Sequence, residues 1–141
     1  MRFLKIHAIA IYLACSGSAT ATSLDVQIAG DIAPAGSIRC AAFVSPEGFP
    51  DDASQARLSV LSAQTQPLVC RFEDLPAGRI AIAVSHDANA NGKLDTNFLG
   101  IPKEAWGVSR GMRPSFRAPR FDEAAIDYDG KPLTLTIEVA Q

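Results

Sequence analysis

Histidine, cysteine and tryptophan are scarce in this chain, with two, three and one among 141 residues. Past residue 21 the only imidazole is His86 and the only thiols are Cys40 and Cys70, whose spacing fits no zinc pattern. No serine or cysteine stands in a nucleophile signature. The neighbours His86 and Asp87 are therefore the one hint of hydrolytic chemistry, and they lack a third partner. Asp51-Asp52, Glu73-Asp74 and Asp122-Glu123 are adjacent acids, which a strand would point to opposite faces, so adjacency does not make a glycosidase pair. Long apolar runs are missing as well: after the N-terminus nothing approaches the ~20 residues of a membrane span. No window carries a 3.6-residue apolar stripe over three turns, and there is no internal repeat, which argues against a helical core. Positive charge is in short supply, with 13 basic against 15 acidic residues. That balance excludes a general nucleic-acid binder, which needs a broad basic footprint.

The first 21 residues read as a secretory signal. Arg2 and Lys5 form a positive start, Ile6 to Ala14 an apolar run, and Ala19-Thr20-Ala21 a small-x-small cleavage site. A lipoprotein signal at Cys15 is the weaker reading, because Tyr12 sits where a small aliphatic residue is wanted. Losing Arg2 and Lys5 leaves 11 basic residues against 15 acidic, a net charge of −4, on a chain long enough for one domain, residues 22–141. Two remaining cysteines in an exported chain point to one Cys40–Cys70 disulfide, with two buried free thiols as the alternative. Closing that loop stabilises by on the order of 3 kcal/mol. The expected destination is the periplasm or beyond.

Period-2 alternation then dominates. Leu24, Val26 and Ile28 mark a first strand, and Ile38, Cys40, Ala42 and Val44 share one face of a second. Leu58 and Val60 suggest a third, Leu68, Cys70 and Phe72 a fourth, and Ile80, Ile82, Val84 and His86 the clearest of the set. Ala124–Tyr128 adds a possible strand, and Leu133, Leu135, Ile137 and Val139 close the chain. Short alternating strands separated by Gly, Pro and Asp predict an all-β, antiparallel β-sandwich of about seven strands. The stretch 96–120 breaks the rhythm. It is rich in Pro and Gly, holds Phe98, Trp106 and Phe116, and reads as a long ordered loop.

Several uncommon words occur in one order: FVSPEGFPDD at Phe43–Asp52, FEDLPAG at Phe72–Gly78, HDANANGKLDTNF from His86 and LGIPKEAWGVS at Leu99–Ser109. From Leu24 to Val139 the chain resembles the bacterial family catalogued as DUF2141, a domain of unknown function. The resemblance implies an exported β-sandwich with an immunoglobulin-like or transthyretin-like look, and implies no established activity.

The most chemical-looking segment is Asp87–Asp95. Asp87, Asn89, Asn91 and Asp95 take positions 1, 3, 5 and 9 of an EF-hand-type calcium loop, with Gly92 at the sharp turn and Lys93 giving its backbone carbonyl at position 7. Phe98 stands where that loop has its bidentate Glu, leaving two formal charges; Asn97, Glu104 or water would supply a further oxygen. Few charges imply weak binding, in the ~10⁻⁴–10⁻³ M class. The competing reading is a plain β-hairpin turning at Asn91-Gly92. Arg110, Arg113, Arg117 and Arg120 recur every three or four residues, but Pro114 and Pro119 forbid a continuous helix. This basic loop is a candidate dock for an anionic glycan, a lipid head group or an acidic partner. Trp106 either plugs the core beneath the loop or stacks on a sugar or peptide. The reading is of a non-enzymatic binding or structural module, steadied by weak calcium, with a hydrolase using His86 and Asp87 as the alternative.

Overall fold

The computed structural model describes residues 22–141. The signal expected at 1–21 and Cys15 lie outside them. Eight strands form two sheets. β1 (Ser23–Ala29), β4 (Val69–Glu73) and β8 (Leu133–Glu138) make one, in the order β4-β1-β8. The other has the order β3-β2-β5-β6, from β2 (Ser37–Phe43), β3 (Arg57–Ser62), β5 (Gly78–Asp87) and β6 (Trp106–Val108), while β7 (Ile126–Tyr128) pairs with the start of β5.

Alternation explains which faces meet. Leu24 and Val26 of β1, Ile38 and Cys40 of β2, Ile80, Ile82 and Val84 of β5, and Ile137 of β8 are all buried in one core shared by both sheets. Full burial of each such side chain stabilises by roughly 1.5–3 kcal/mol. Cys40 and Cys70 sit on β2 and β4 and are bonded, Cα to Cα 6.4 Å apart, so the disulfide joins the two sheets through the core.

Four features differ from or add to the strand pattern read in the sequence. β1 and β8 pair in parallel, the other pairs being antiparallel. Parallel neighbours need a long crossover, and here the first and last strands have the rest of the domain between them. β2 ends at Phe43; Val44 is 48% exposed, and Phe43 instead fills the opposite face of the sheet. Leu58 and Val60 face outward, because β3 pairs them with Ala41 and Arg39 on the outer side of β2. The segment 96–120 also contains regular structure: β6 and a 3-10 turn at Ser109–Gly111 lie in it, and the single helical turn α1 (Phe121–Ala124) follows.

A close crossing fixes β6 against β8. A Cβ on Gly107 would lie 2.2 Å from the Glu138 carbonyl oxygen, so only glycine lets the strands pass. Trp106 and Ala140 exchange backbone hydrogen bonds there. Between the short partners β6 and β7, buried Ser109 continues the ladder: its Oγ accepts from Ile82 N (2.9 Å) and donates to the Ala124 carbonyl (2.6 Å).

A second, smaller core covers part of the outer face of the β3-β2-β5-β6 sheet. Phe43, Ala81 and Val108 are packed beneath Phe121, Ala124 and Ala125, with Phe49 meeting Phe43 and Phe121 edge-on at 5.3 and 6.0 Å. The rest of that face is left open.

Candidate functional site

The open half of the outer face is the floor of a cleft of about 900 Å³. Its floor follows from strand parity: Arg39 and Ala41 of β2, Ala83 and Ser85 of β5, Leu58 of β3 and Trp106 of β6 all stand on one side of the sheet. Residues 92–102 make one wall and 113–119 another. The first carries exposed Leu99 (68%) and Ile101 (53%), and the second Phe116, fully exposed. Large apolar side chains held in water around a concavity are the usual mark of a binding surface.

The first wall is held by carboxyl groups at its base. Asp87, 1% exposed, ends β5, and its two oxygens accept from Asn91 N (3.0 Å) and Gly92 N (2.7 Å). Glu104 bridges the two ends of the loop, one oxygen accepting from Ala88 N and the other from Asp95 N, both at 3.0 Å. Gly36 packs under this base; a Cβ there would meet the Asp87 carbonyl oxygen at 2.0 Å. Further out, Asn89 Nδ2 donates to Asp95 (2.6 Å), and Asn91 Nδ2 lies 2.9 Å from both Asp95 oxygens. These two amides hold the Asp95 carboxyl below the usual carboxylate range, Asn91 contributing most. Asn97 Oδ1 accepts from Leu99 N and Ile101 N, shaping the tip that presents the apolar side chains.

The structure brings Asn89 and Asn91 onto Asp95 through their amide N–H groups, while the Asp87 oxygens and the Asn89 and Asn91 Oδ1 atoms accept from backbone N–H groups of the loop, that of Lys93 among them. Among the described residues no group of three or more His, Cys, Asp or Glu side chains is placed to hold a metal. A tight Asn91-Gly92 hairpin is not formed, since β5 ends at Asp87 and its antiparallel partner β6 starts at Trp106, but Asp87, Asn89 and Asn91 do bond the loop's own backbone. Glu104 is the loop residue that spacing undervalued. Its contacts run to both ends of the loop, which no linear offset reveals.

His86 is buried on the inner side of β5, its Nε2 2.7 Å from the Ala35 carbonyl oxygen. Asp87 is the next residue on the strand, so the two side chains point to opposite faces and share no hydrogen bond. A shallow pocket of about 550 Å³ opens beside His86 and Glu104 at this end of the sheets.

Of the residues singled out in the basic loop, Trp106 and Arg113 are together and Arg110 is apart. The Arg113 guanidinium lies 4.3 Å from the Trp106 ring and donates to the carbonyls of Trp106 and Ala140. Trp106 is half-buried at the edge of the cleft floor, joining the second core on one side and the open cleft on the other. Arg110 turns away toward the Asp122 carbonyl. Arg117 forms a two-pronged pair with Glu123 (2.7 and 2.8 Å). That pair and the Arg120 N–H hold the Glu123 carboxyl at a pKa of about 2.

No helix of the described residues is long and apolar enough to cross a membrane. No curated protein and no solved structure matches the chain. A family model described as an uncharacterized protein conserved in bacteria matches residues 26–136, and the chain belongs to that family, DUF2141.

Proposed function

We propose that the protein is an exported, non-enzymatic binding module whose ligand lies in the cleft on the outer face of the β3-β2-β5-β6 sheet. One observation carries the reading: strand parity leaves Leu58, Ala41, Ala83 and Trp106 as a shared floor while two ordered loops rise beside it with Leu99, Ile101 and Phe116 in water. A sheet face that only needed solvation would carry polar residues there. Export is supported by the N-terminal charge, apolar run and small-residue order, together with a disulfide buried in the domain core.

An environment-sensitive apolar dye such as anilinonaphthalene sulfonate tests the cleft. Its fluorescence is expected to rise with the wild-type protein and to fall back in Ala83→Trp, which fills the floor. An undiminished signal in a folded Ala83→Trp variant refutes the site. N-terminal sequencing of protein from the periplasmic fraction tests export, the expected first residue being Thr22.

Calcium is the second reading, favoured by the Asn89 and Asn91 side chains meeting the Asp95 carboxyl; a bound cation would replace these N–H donors, the amides turning their oxygens toward it. Bound there, the cation would stiffen the wall of the cleft. Calorimetric titration with millimolar calcium is expected to give heat and a raised Tm in the wild type, and neither in Asp95→Asn. No heat and no change of Tm in the wild type end this reading and leave the cleft untouched.

A further inference from the structure

The charges in the cleft are unevenly distributed. Arg39, Lys93, Arg113 and Arg117 line it against a single acidic side chain, Asp51, with Gln141 at its edge, in a protein with an acidic balance overall. Arg117 is neutralised by Glu123, and Arg113 is spent on backbone carbonyls and the Trp106 ring. Arg39 differs from both. It stands half-buried on the floor with Val60 and Ser85 as its cross-strand neighbours, and no carboxylate or hydrogen-bond acceptor meets its side chain among the described residues. Its Nη1 lies 3.9 Å from where a Cβ of Gly92 would sit, so the guanidinium reaches the foot of the loop wall.

Walls that present Leu99, Ile101 and Phe116, with Lys93 out in solvent on one of them, and a half-buried, uncompensated guanidinium on the floor define a ligand with one anionic end and a long apolar body. A peptide or glycan fits less well. The floor is the face of a paired sheet, whose backbone N–H and C=O groups are consumed by the β2–β5 and β2–β3 ladders. An extended peptide or a sugar would bury many polar groups there with few partners, at a cost for each unpaired one. A hydrocarbon chain has no such groups. A volume of about 900 Å³ also lies in the range that holds small-molecule ligands.

We infer that the cleft binds a single-chain anionic amphiphile, with its carboxylate on Arg39 and its acyl chain along Ala41, Ala83, Trp106, Leu99 and Ile101. The inference rests on the cleft being the ligand site and adds to it the class of ligand and the anchoring residue. Charge-assisted recognition by a half-buried guanidinium separates an acid from its neutral analogue by about tenfold or more.

The test is a calorimetric titration of protein produced from the full 141-residue chain with decanoate and with decanol. Wild type is expected to bind decanoate about tenfold more tightly. Arg39→Gln is expected to lose that preference while keeping its affinity for decanol. Leu99→Ser/Ile101→Ser, on the exposed wall and outside the folding core, is expected to weaken both ligands. Equal binding of acid and alcohol, unchanged by Arg39→Gln but lost on the wall substitution, overturns the anionic class and keeps the cleft. Failure of the wild type to bind either ligand, or binding indifferent to the wall substitution, overturns the inference and the cleft together. Binding of an apolar peptide without decanoate replaces the amphiphile with a peptide.

Discussion

The Asp87 carboxylate is the most exposing place to perturb the loop wall. It is 1% exposed, and both of its oxygens hold backbone N–H groups of the loop, at Asn91 and Gly92. Asp87→Ala removes two charge-assisted hydrogen bonds, each contributing roughly 1.5–3 kcal/mol where no water replaces them. Asn91 and Gly92 themselves reach solvent, so water recovers part of that loss. The net destabilisation is then about 2–3 kcal/mol, and for a domain of this size Tm falls by about 8–12 °C. Asp87→Asn keeps the shape and one acceptor oxygen and is expected to lose about half as much. Asp95→Asn, at a half-buried side chain bonded only to amides, is expected to move Tm least. Calorimetric melting at pH 7 with a chelator present reads this order without any contribution from metal. Hydrogen exchange at Gly92 N should accelerate in Asp87→Ala and leave Val84 N unchanged. A Tm for Asp87→Ala within about 2 °C of wild type would falsify the claim that the buried carboxylate holds the loop.

Three further outcomes follow from other parts of the fold. Glu123 is held at a pKa of about 2 in the folded protein, against 4.5 for the unperturbed group. Its contribution is complete above about 4.5 and is lost as pH falls toward 2, so Glu123→Gln should flatten the acid limb of the stability curve in that window; an identical limb refutes the Arg117 pairing. Replacing Cys40 and Cys70 with alanine removes a bond spanning 30 residues, worth about 3.6 kcal/mol in the chain-entropy account, and Tm should fall by about 14 °C; a drop under about 4 °C contradicts it. Buried Tyr128 has no partner for its hydroxyl among the described residues, so Tyr128→Phe should leave Tm unchanged or raise it by a few degrees, and a clear fall would reveal a missed partner.

The core was legible because its strands obey simple parity. Ile80, Ile82, Val84 and His86 read as one face and are buried as one face. Cys40 and Cys70 both fell on apolar parity, which fits a disulfide inside the core; that it joins the two sheets is decided by the strand order. Leu58 and Val60 marked the third strand correctly, but hydrophobicity alone does not say which side of the sheet is the core, and theirs is the outer one. β6 was hidden in the segment 96–120 because three residues are too few to show a period; its position depends on Gly107 slipping past Glu138. The cleft was harder still. Arg39, Ala41, Ala83 and Ser85 look in sequence like ordinary solvent-side residues of two strands, and only the β2–β5 register sets them side by side. Trp106 and Arg113, singled out separately in the sequence, turn out to stack on one another, whereas Arg110 follows a left-handed turn (φ 65°) and donates to the Asp122 carbonyl.

The central claim is that the outer face of the β3-β2-β5-β6 sheet is where this protein takes its ligand. Amide chemical-shift mapping during a decanoate titration tests it most directly. The expected result is a contiguous set of saturable shifts at Arg39, Ala41, Ala83 and the Trp106 indole, with Leu99 and Ile101 moving alongside. Shifts gathered instead around His86 and Glu104, or no saturable shifts at all, would contradict it.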